Sequence, residues 1–589
     1  MMIALGDVIM GYNNFCSQGS ANRQLNKNMN VFTKISILLV MFGLSINCLA
    51  EQVLAATIPE TLKSLQKKAA EDEVTAQYQL GLRYENGFEV AKDLVTAVEW
   101  YQKAAAKGYV PAVYQLGRCY ENGIGVGKNQ MKAIEYYLDA AENGNADAQC
   151  NLAIIYYYGN GMLANHPEAL KWFKKATAKQ HIRAQRNFAL CYMQGLGSVP
   201  DYEKALFWFR KAAAHNDRES AYWIAYFYAN GKGVKIDLQK AFNWYSKAAK
   251  QGSVKAELCL GIAYDKGYGV KIDKKAALKW YTMAAQHGSG EAALHLGQLY
   301  VEGVGVEQNY GVAVKFYRQA AADNLSEAQY QLGKSYYEGR GVEENYATAI
   351  EWYYKAAKQG NAKGQYWLGF MYDNGYRVTK NLLEAMKWYY KAALQGNVDA
   401  QFRLATIYKN GIGIEKNNQK AIKWYRQAAE QGMAEAQFQL GKCYSQKLVL
   451  DGEPEYEVKW YKKAAEQNHA AAQLALANIY YDLNETKTSA SWTLKAAEND
   501  NTQAQVLMGR IYCKGEGVKK DYAKGIEWFR KASENGNQYA QVYLGAIYYR
   551  GLGVKRDYHE AAKWYNKAAV QGNETAMKML RIIAKKRRR

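Results

Sequence analysis

The sequence predicts an all-α solenoid of about fourteen helix-turn-helix units, and three observations point there. The chain resembles itself every thirty-six residues. Small or apolar residues recur within each copy at helical spacing. The composition is lopsided, with 50 Gly, 50 Tyr and 14 Trp but only 5 Pro among 589 residues. One short unit copied many times gives such numbers. With 49% hydrophobic residues there is ample material for a core, which excludes disorder as the main state.

Residues 1–50 form a leader. Lys34 precedes an apolar run from Ile35 to Ile46, followed by Cys48, Leu49 and Ala50. This is the layout of a signal peptide over residues 29–50, with translation starting at Met29 and cleavage after Ala50. The run is short for a membrane span, which needs about twenty apolar residues, so no stable span is expected after cleavage. An uncleaved segment that anchors the chain is the alternative. Lipidation at Cys48 is disfavoured by Asn47 before it.

Residues 51–75 contain a lone helix that caps the stack. The repeats occupy 76–575, beginning at Ala76, Ala112, Ala148, Ala184, Ser220, Ala256, Ala292, Ala328, Gly364, Ala400, Ala436, Ala472, Ala504 and Ala540. The unit from Ala472 is four residues short. Residues 576–589 supply a closing helix and a basic tail, Lys585 to Arg589.

Counting from each start, positions 1, 5 and 9 recur at i, i+4, i+8, and positions 22, 25 and 29 at i, i+3, i+7, so each unit is a helical hairpin. Position 9 is Tyr throughout (Tyr84, Tyr120, Tyr156 and onward to Tyr548), and position 25 is Trp in twelve units, with Tyr136 and Phe316 as exceptions. These aromatics are expected to be the core between the two helices, each burying roughly 150–250 Å². Ala at position 29 in every unit signals close helix approach. Gly or Asn at position 33, as in Gly108 and Asn216, suits a left-handed C-terminal cap. Between the helices a Gly-x-Gly-Val turn leads to an Asx at position 18 (Asp93, Asn129, Asp201, Asp237, Asn345) that caps the second helix. All five prolines, Pro59, Pro111, Pro167, Pro200 and Pro454, fall at or just before a predicted helix start. Loss of the glycine turn around Leu448 to Glu457, followed by the short unit, predicts a hinge or change of direction near residues 445–490.

The pattern A-x-x-x-L-G-x-x-Y-x-x-G-x-G-V, an Asx, then A-x-x-W-Y-x-K-A-A-x-x-G resembles the Sel-one-like repeat (SLR) family, relatives of the tetratricopeptide repeat. The resemblance implies a right-handed superhelix that binds protein or peptide partners without catalysis or cofactor. That family is common in bacteria and, in eukaryotes, in quality control of the endoplasmic reticulum; taken with the leader, the resemblance leads to the expectation of a bacterial protein, periplasmic or secreted, in envelope assembly or in contact with host proteins. Some exported relatives carry a disulfide in each unit. This chain departs from them: Cys119, Cys150, Cys191, Cys259, Cys443 and Cys513 fall at most one to a unit, which predicts mostly free thiols and sits in tension with export.

Net charge is +22, of which residues 581–589 supply six, so the repeat body is only mildly basic. Nucleic acid is permitted rather than indicated, although an RNA-binding array stands as one alternative, and the tail could contact anionic surfaces. Gly123 to Lys128 reads GIGVGK, but Asn122 and Asn129 stand where a phosphate loop needs Gly and Ser or Thr, so this is a turn. The seven His (166, 181, 215, 287, 295, 469, 559) lack metal-ligand spacing. Glu85 and Glu121 share a position in adjacent units and are the candidate pair for the other alternative, an enzyme acting on envelope glycans or β-lactams or its regulator. Solvated carboxylates are the plainer reading.

If positions 1, 5 and 9 face the partner helix, positions 3, 7 and 10 lie opposite and line a concave wall. Along it stand Tyr78, Tyr114, Arg118 and Glu121, then Tyr222 and Tyr226, then Tyr330, Lys334, Tyr337, Tyr366, Phe370, Asp373 and Phe402. The last group is the preferred partner site, because rigid aromatics rimmed by charge have the composition of interface hot spots.

Overall fold

The computed structural model describes residues 61–197, 199–448 and 454–587, which form thirty α-helices with no strand among them. The leader with its signal peptide, Pro59 and the last two arginines lie outside the described residues. The chain divides between Ile236 and Asp237 into two compact bodies. Within each, consecutive helices pack as antiparallel neighbours in a repeat solenoid.

The unit starting at Ala76 shows the rule. Its first helix, Val74–Asn86, ends on Gly87 in the left-handed region (φ 71°), and its second, Leu94–Ala106, starts on Asp93, whose carboxylate accepts from the amides of Val95 and Thr96. Asn129, Asp201, Asp237 and Asn345 cap their second helices in the same way. The second helix gives out at position 33 with positive φ, as at Gly108 (76°) and Asn216 (63°), and Gln180 and Asp500 adopt the same conformation without being Gly or Asn. GIGVGK is such a turn, entered from a helix. The second glycine of the turn is also a contact between units, because a Cβ on Gly125 would lie 2.1 Å from the carbonyl oxygen of Leu94 in the preceding unit.

The core differs from the expectation at one position. Ala at position 29 is fully buried in all fourteen units, from Ala104 to Ala568. The large buried ring, however, is not Trp at position 25 but its neighbour at 26: Tyr101, Tyr137, Phe173, Phe209, Tyr281, Tyr317, Tyr353 and Tyr389 are all at or near zero exposure. The Trp side chains are half-buried in most units, with the Lys at position 28 laid over the ring, as for Lys103 on Trp100 (4.1 Å to the ring centroid), Lys355 on Trp352 (4.0 Å) and Lys391 on Trp388 (4.3 Å). Tyr at position 9 is likewise half-buried, and meets position 25 where Tyr120 stacks on Tyr136 and Tyr300 on Phe316.

Position 6 explains the depth of the ring at 26. In most units it is Gly, and a Cβ there would fall 2.3–2.9 Å from the ring, as for Gly297 against Tyr317 (2.3 Å) and Gly369 against Tyr389 (2.9 Å). The absent side chain is the socket for the aromatic.

Among the described residues no break in helix packing marks the segment 445–490, where the sequence predicts a hinge or change of direction. The described helices Ala434–Ser445, Pro454–Glu466, Ala470–Asp482 and Thr486–Glu498 pack pairwise like their counterparts and lie inside the second body. The four missing residues come out of the inter-helix loop, reduced to Leu483, Asn484 and Glu485, while both helices keep thirteen residues and therefore their packing register. At the chain's start Leu65 and Ala69 of Leu62–Ala70 cover Ala76 and Leu80. At its end Ile583 of Glu574–Arg587 covers Tyr565, so a single helix caps each terminal hairpin.

Candidate partner-binding site

Positions 3 and 10 do not lie opposite the second helix. Seven residues are two turns minus about twenty degrees, so positions 3, 6 and 10 form one stripe, and that stripe runs past the buried ring at 26. Tyr78, Tyr114, Tyr330, Tyr366 and Phe402, all at position 3, rest 5.6–6.1 Å from the position-26 ring of their own unit. At position 10, Glu85 accepts the hydroxyl of Tyr101 (2.5 Å), Glu121 that of Tyr137 (2.6 Å) and Asp373 that of Tyr389 (3.2 Å). Glu85 and Glu121 are thus tied to core phenols, and Arg118 stands 3.7 Å from Glu85.

The preferred group divides accordingly. Tyr330 is buried over Tyr353, and that burial pushes its phenol up to about 12. Asp373 is buried as well, held by Arg403 at 2.8 Å and by Tyr389. Phe402 packs on Tyr425, and Lys334 stands half-exposed beside Glu338. Tyr337, Tyr366 and Phe370 remain half-buried and close together: Tyr337 is 6.3 Å and Tyr366 6.5 Å from Phe370. Tyr222 and Tyr226 belong to the first body and flank Trp223.

Three rings that the positional argument missed complete the cluster. Trp367 lies 5.0 Å from Tyr337 and 5.2 Å from Phe370, while Tyr376 bridges Tyr346 (5.2 Å) and Phe370 (5.9 Å). A signal was present for Trp367 and Tyr376. Trp367 is a Trp outside the Trp register, and the ninth unit reads Gly375-Tyr376-Arg377-Val378, with Arg377 holding the left-handed conformation (φ 54°) where other units have Gly. The result is a half-buried aromatic patch formed by the eighth and ninth units.

The six cysteines of the described residues are free, and burial raises the thiols of Cys119 and Cys191 to about 12. Among the described residues no cluster of His, Cys, Asp or Glu is placed to hold a metal, and no helix is long and apolar enough to cross a membrane. Three histidines serve instead as latches to carboxylates: His181 to Asp147 (3.1 Å), His287 to Glu257 (2.8 Å) and His469 to Glu435 (2.8 Å).

The model of the Sel1 repeat matches fourteen segments, ten of them contiguous or nearly so from residue 74 to 433, then 434–447, 458–469, 502–537 and 538–573. The chain belongs to the Sel1 repeat family. Members are repeat scaffolds that typically mediate protein interactions and are generally not enzymes. The hairpin of residues 470–498 is Sel1-like in structure although no matched segment covers it. Among solved structures, the chain is similar to c5321, a protective antigen present in uropathogenic Escherichia coli strains displaying an SLR fold, with 34% identity, a TM-score of 0.58, and 77% of this chain and 90% of that one covered. It is also similar to a Sel1 repeat protein from Oxalobacter formigenes, with 29% identity, a TM-score of 0.45, and coverage of 53% and 90%. No curated protein sequence matches.

Proposed function

We propose that this Sel1 protein is a non-catalytic scaffold, exported by a bacterium, that holds a protein or peptide partner on its first-helix face at the aromatic patch of the eighth and ninth units. The observation that carries this is the clustering of Tyr337, Trp367, Phe370 and Tyr376 as half-buried rings, in a fold whose hairpin core is already filled by the ring at position 26. Rings that are rigid, partly solvated and surplus to the core give large contact area at small entropic cost. Lys334, Glu338 and Arg340 form a polar rim beside them. Export rests on the signal-peptide layout of residues 29–50, and the description of the similar c5321 as a protective antigen agrees with it.

The test is capture of partners from an envelope fraction by the wild-type protein and by a Tyr337→Ala/Phe370→Ala variant, with circular dichroism showing that both are folded. Loss of specific bands with the variant supports the site. Unchanged capture refutes it. N-terminal sequencing of the protein recovered from fractionated cells tests the export reading, which requires a chain beginning after Ala50.

A further inference from the structure

We propose a second recognition site in the first body, a polar pocket that takes a peptide carboxylate together with the amide N–H next to it. The pocket, about 230 Å³, is lined by Tyr114, Arg118 and Glu121 of the second unit, Asn151 and Ile154 of the third, and Arg183 at the start of the next first helix. It goes beyond the aromatic patch and shares with that reading only the premise that the first-helix face meets peptides.

The chemistry follows from how each group is already engaged. Arg118 is half-buried and fixed by a hydrogen bond to Gln115 and by Glu85 at 3.7 Å, which leaves most of its five donors unused. Arg183 is exposed at the mouth and has no hydrogen-bond or ion-pair partner among the described residues. Two guanidinium groups on one small pocket suit a planar, bidentate acceptor, which a carboxylate is. Glu121 gives the site its second half. Its carboxylate accepts one hydrogen bond, from Tyr137, and can accept others. A carboxylate lining the pocket disfavours a bare anion such as phosphate but favours a ligand that offers an N–H beside its own acid group. A peptide does so at a free C-terminus and at an Asp or Glu side chain. Ile154 provides apolar contact for the intervening carbons.

The experiment uses the full chain and three synthetic hexapeptides carrying a neutral fluorophore at the N-terminus: Gly-Ser-Ala-Asn-Ala-Ala with a free C-terminal acid, the same peptide as the C-terminal amide, and Gly-Ser-Ala-Asp-Ala-Ala amide. Fluorescence anisotropy is read at low salt. We expect the free acid or the Asp peptide to bind at least about tenfold more tightly than the neutral amide, and the tighter of the two identifies the source of the carboxylate. Arg183→Gln, at an exposed residue that makes no hydrogen bond or ion pair among the described residues, is expected to bring that peptide to the level of the neutral amide. Inorganic phosphate at the peptide's concentration should not compete. Equal binding of acid and amide, no binding at millimolar peptide, retention of the preference in Arg183→Gln, or equal competition by phosphate each overturns the proposal. Tyr337→Ala/Phe370→Ala should leave this binding unchanged, so failure here and failure of the aromatic site are told apart.

Discussion

Glu257, only 1% exposed, holds a carboxylate oxygen 2.8 Å from Nδ1 of His287, at the place where seven other units join a buried glutamine to an amide side chain. In those units Gln359, Gln395, Gln431, Gln467, Asn499, Asn535 and Gln571 donate to Gln329, Gln365, Gln401, Gln437, Gln473, Gln505 and Gln541. The sixth unit has thus exchanged a neutral amide link for a potentially ionic one between the two ends of its hairpin. A buried carboxylate needs its partner more than an amide does.

His287→Ala is therefore expected to lower stability by about 1–3 kcal/mol, the cost of leaving a buried acceptor unsatisfied, because the exposed side of the histidine lets water replace part of the bond. The double change Glu257→Gln/His287→Gln rebuilds the amide link and should recover most of that loss. Urea unfolding midpoints of the three proteins check both statements.

His181 gives the fold a pH dependence. Burial disfavours its charged form, but the hydrogen bond to Asp147 and the nearby Cys150 sulfur outweigh this and raise the imidazole to about 9. An unfolded histidine titrates near about 6.5. A group whose folded value is raised stabilises fully below its unfolded value and loses that contribution as pH rises through the folded value. The latch should then contribute on the order of 1–2 kcal/mol at pH 6, discounted because Asp147 is half-exposed, and nothing above about pH 10. Comparing wild type with His181→Gln across this range checks it: the stability difference should shrink between pH 6.5 and 9. In the same register, His469 and Gln439 hold the Glu435 carboxyl below its usual range despite its partial burial.

Gly297→Ala should destabilise by about 1–2 kcal/mol although Ala is the better helix former by nearly 1 kcal/mol, because the added methyl falls 2.3 Å from the Tyr317 ring. The figure stays at the low end because Ala405 already stands at this position opposite Tyr425 in the tenth unit, so a hairpin can open by a few tenths of an ångström. Gly108→Ala has no neighbour to meet and should cost only its left-handed backbone conformation, about 1 kcal/mol. Thermal unfolding of the two variants separates packing from backbone effects.

Asp373→Ala should cost about 1–3 kcal/mol, since it strips the Tyr389 hydroxyl and the Arg403 guanidinium of their shared acceptor at once. Tyr337→Ala, at a half-buried ring without such a role, should cost less. Urea midpoints of the two variants check this ordering.

The fold was legible in the sequence because the repeat is long, regular and capped: the Asx at 18, the Gly or Asn at 33 and the Ala at 29 each do what their chemistry implies. The core was less legible. Trp100 and its equivalents drew attention by their size, whereas Tyr101 beside them is the ring that the helices enclose, and the deciding clue was an absence of side chain at Gly81 on the other helix. The candidate site was legible in part. Tyr337, Tyr366 and Phe370 do come together, but Tyr330 and Asp373 are absorbed by the hairpin, and Trp367 and Tyr376 join only because stacking brings one unit's loop and helix against the next. That contact between units is not written in any one unit's periodicity.

The most direct measurement is photo-crosslinking in living cells from a benzophenone amino acid placed at Tyr337 or, as a control, at Tyr354, an exposed second-helix tyrosine on the other layer of the same unit. Adducts of defined size from position 337 and none from 354 are the expected result. Adducts from 354 alone, or from neither position, would contradict a scaffold that works through its first-helix aromatic patch.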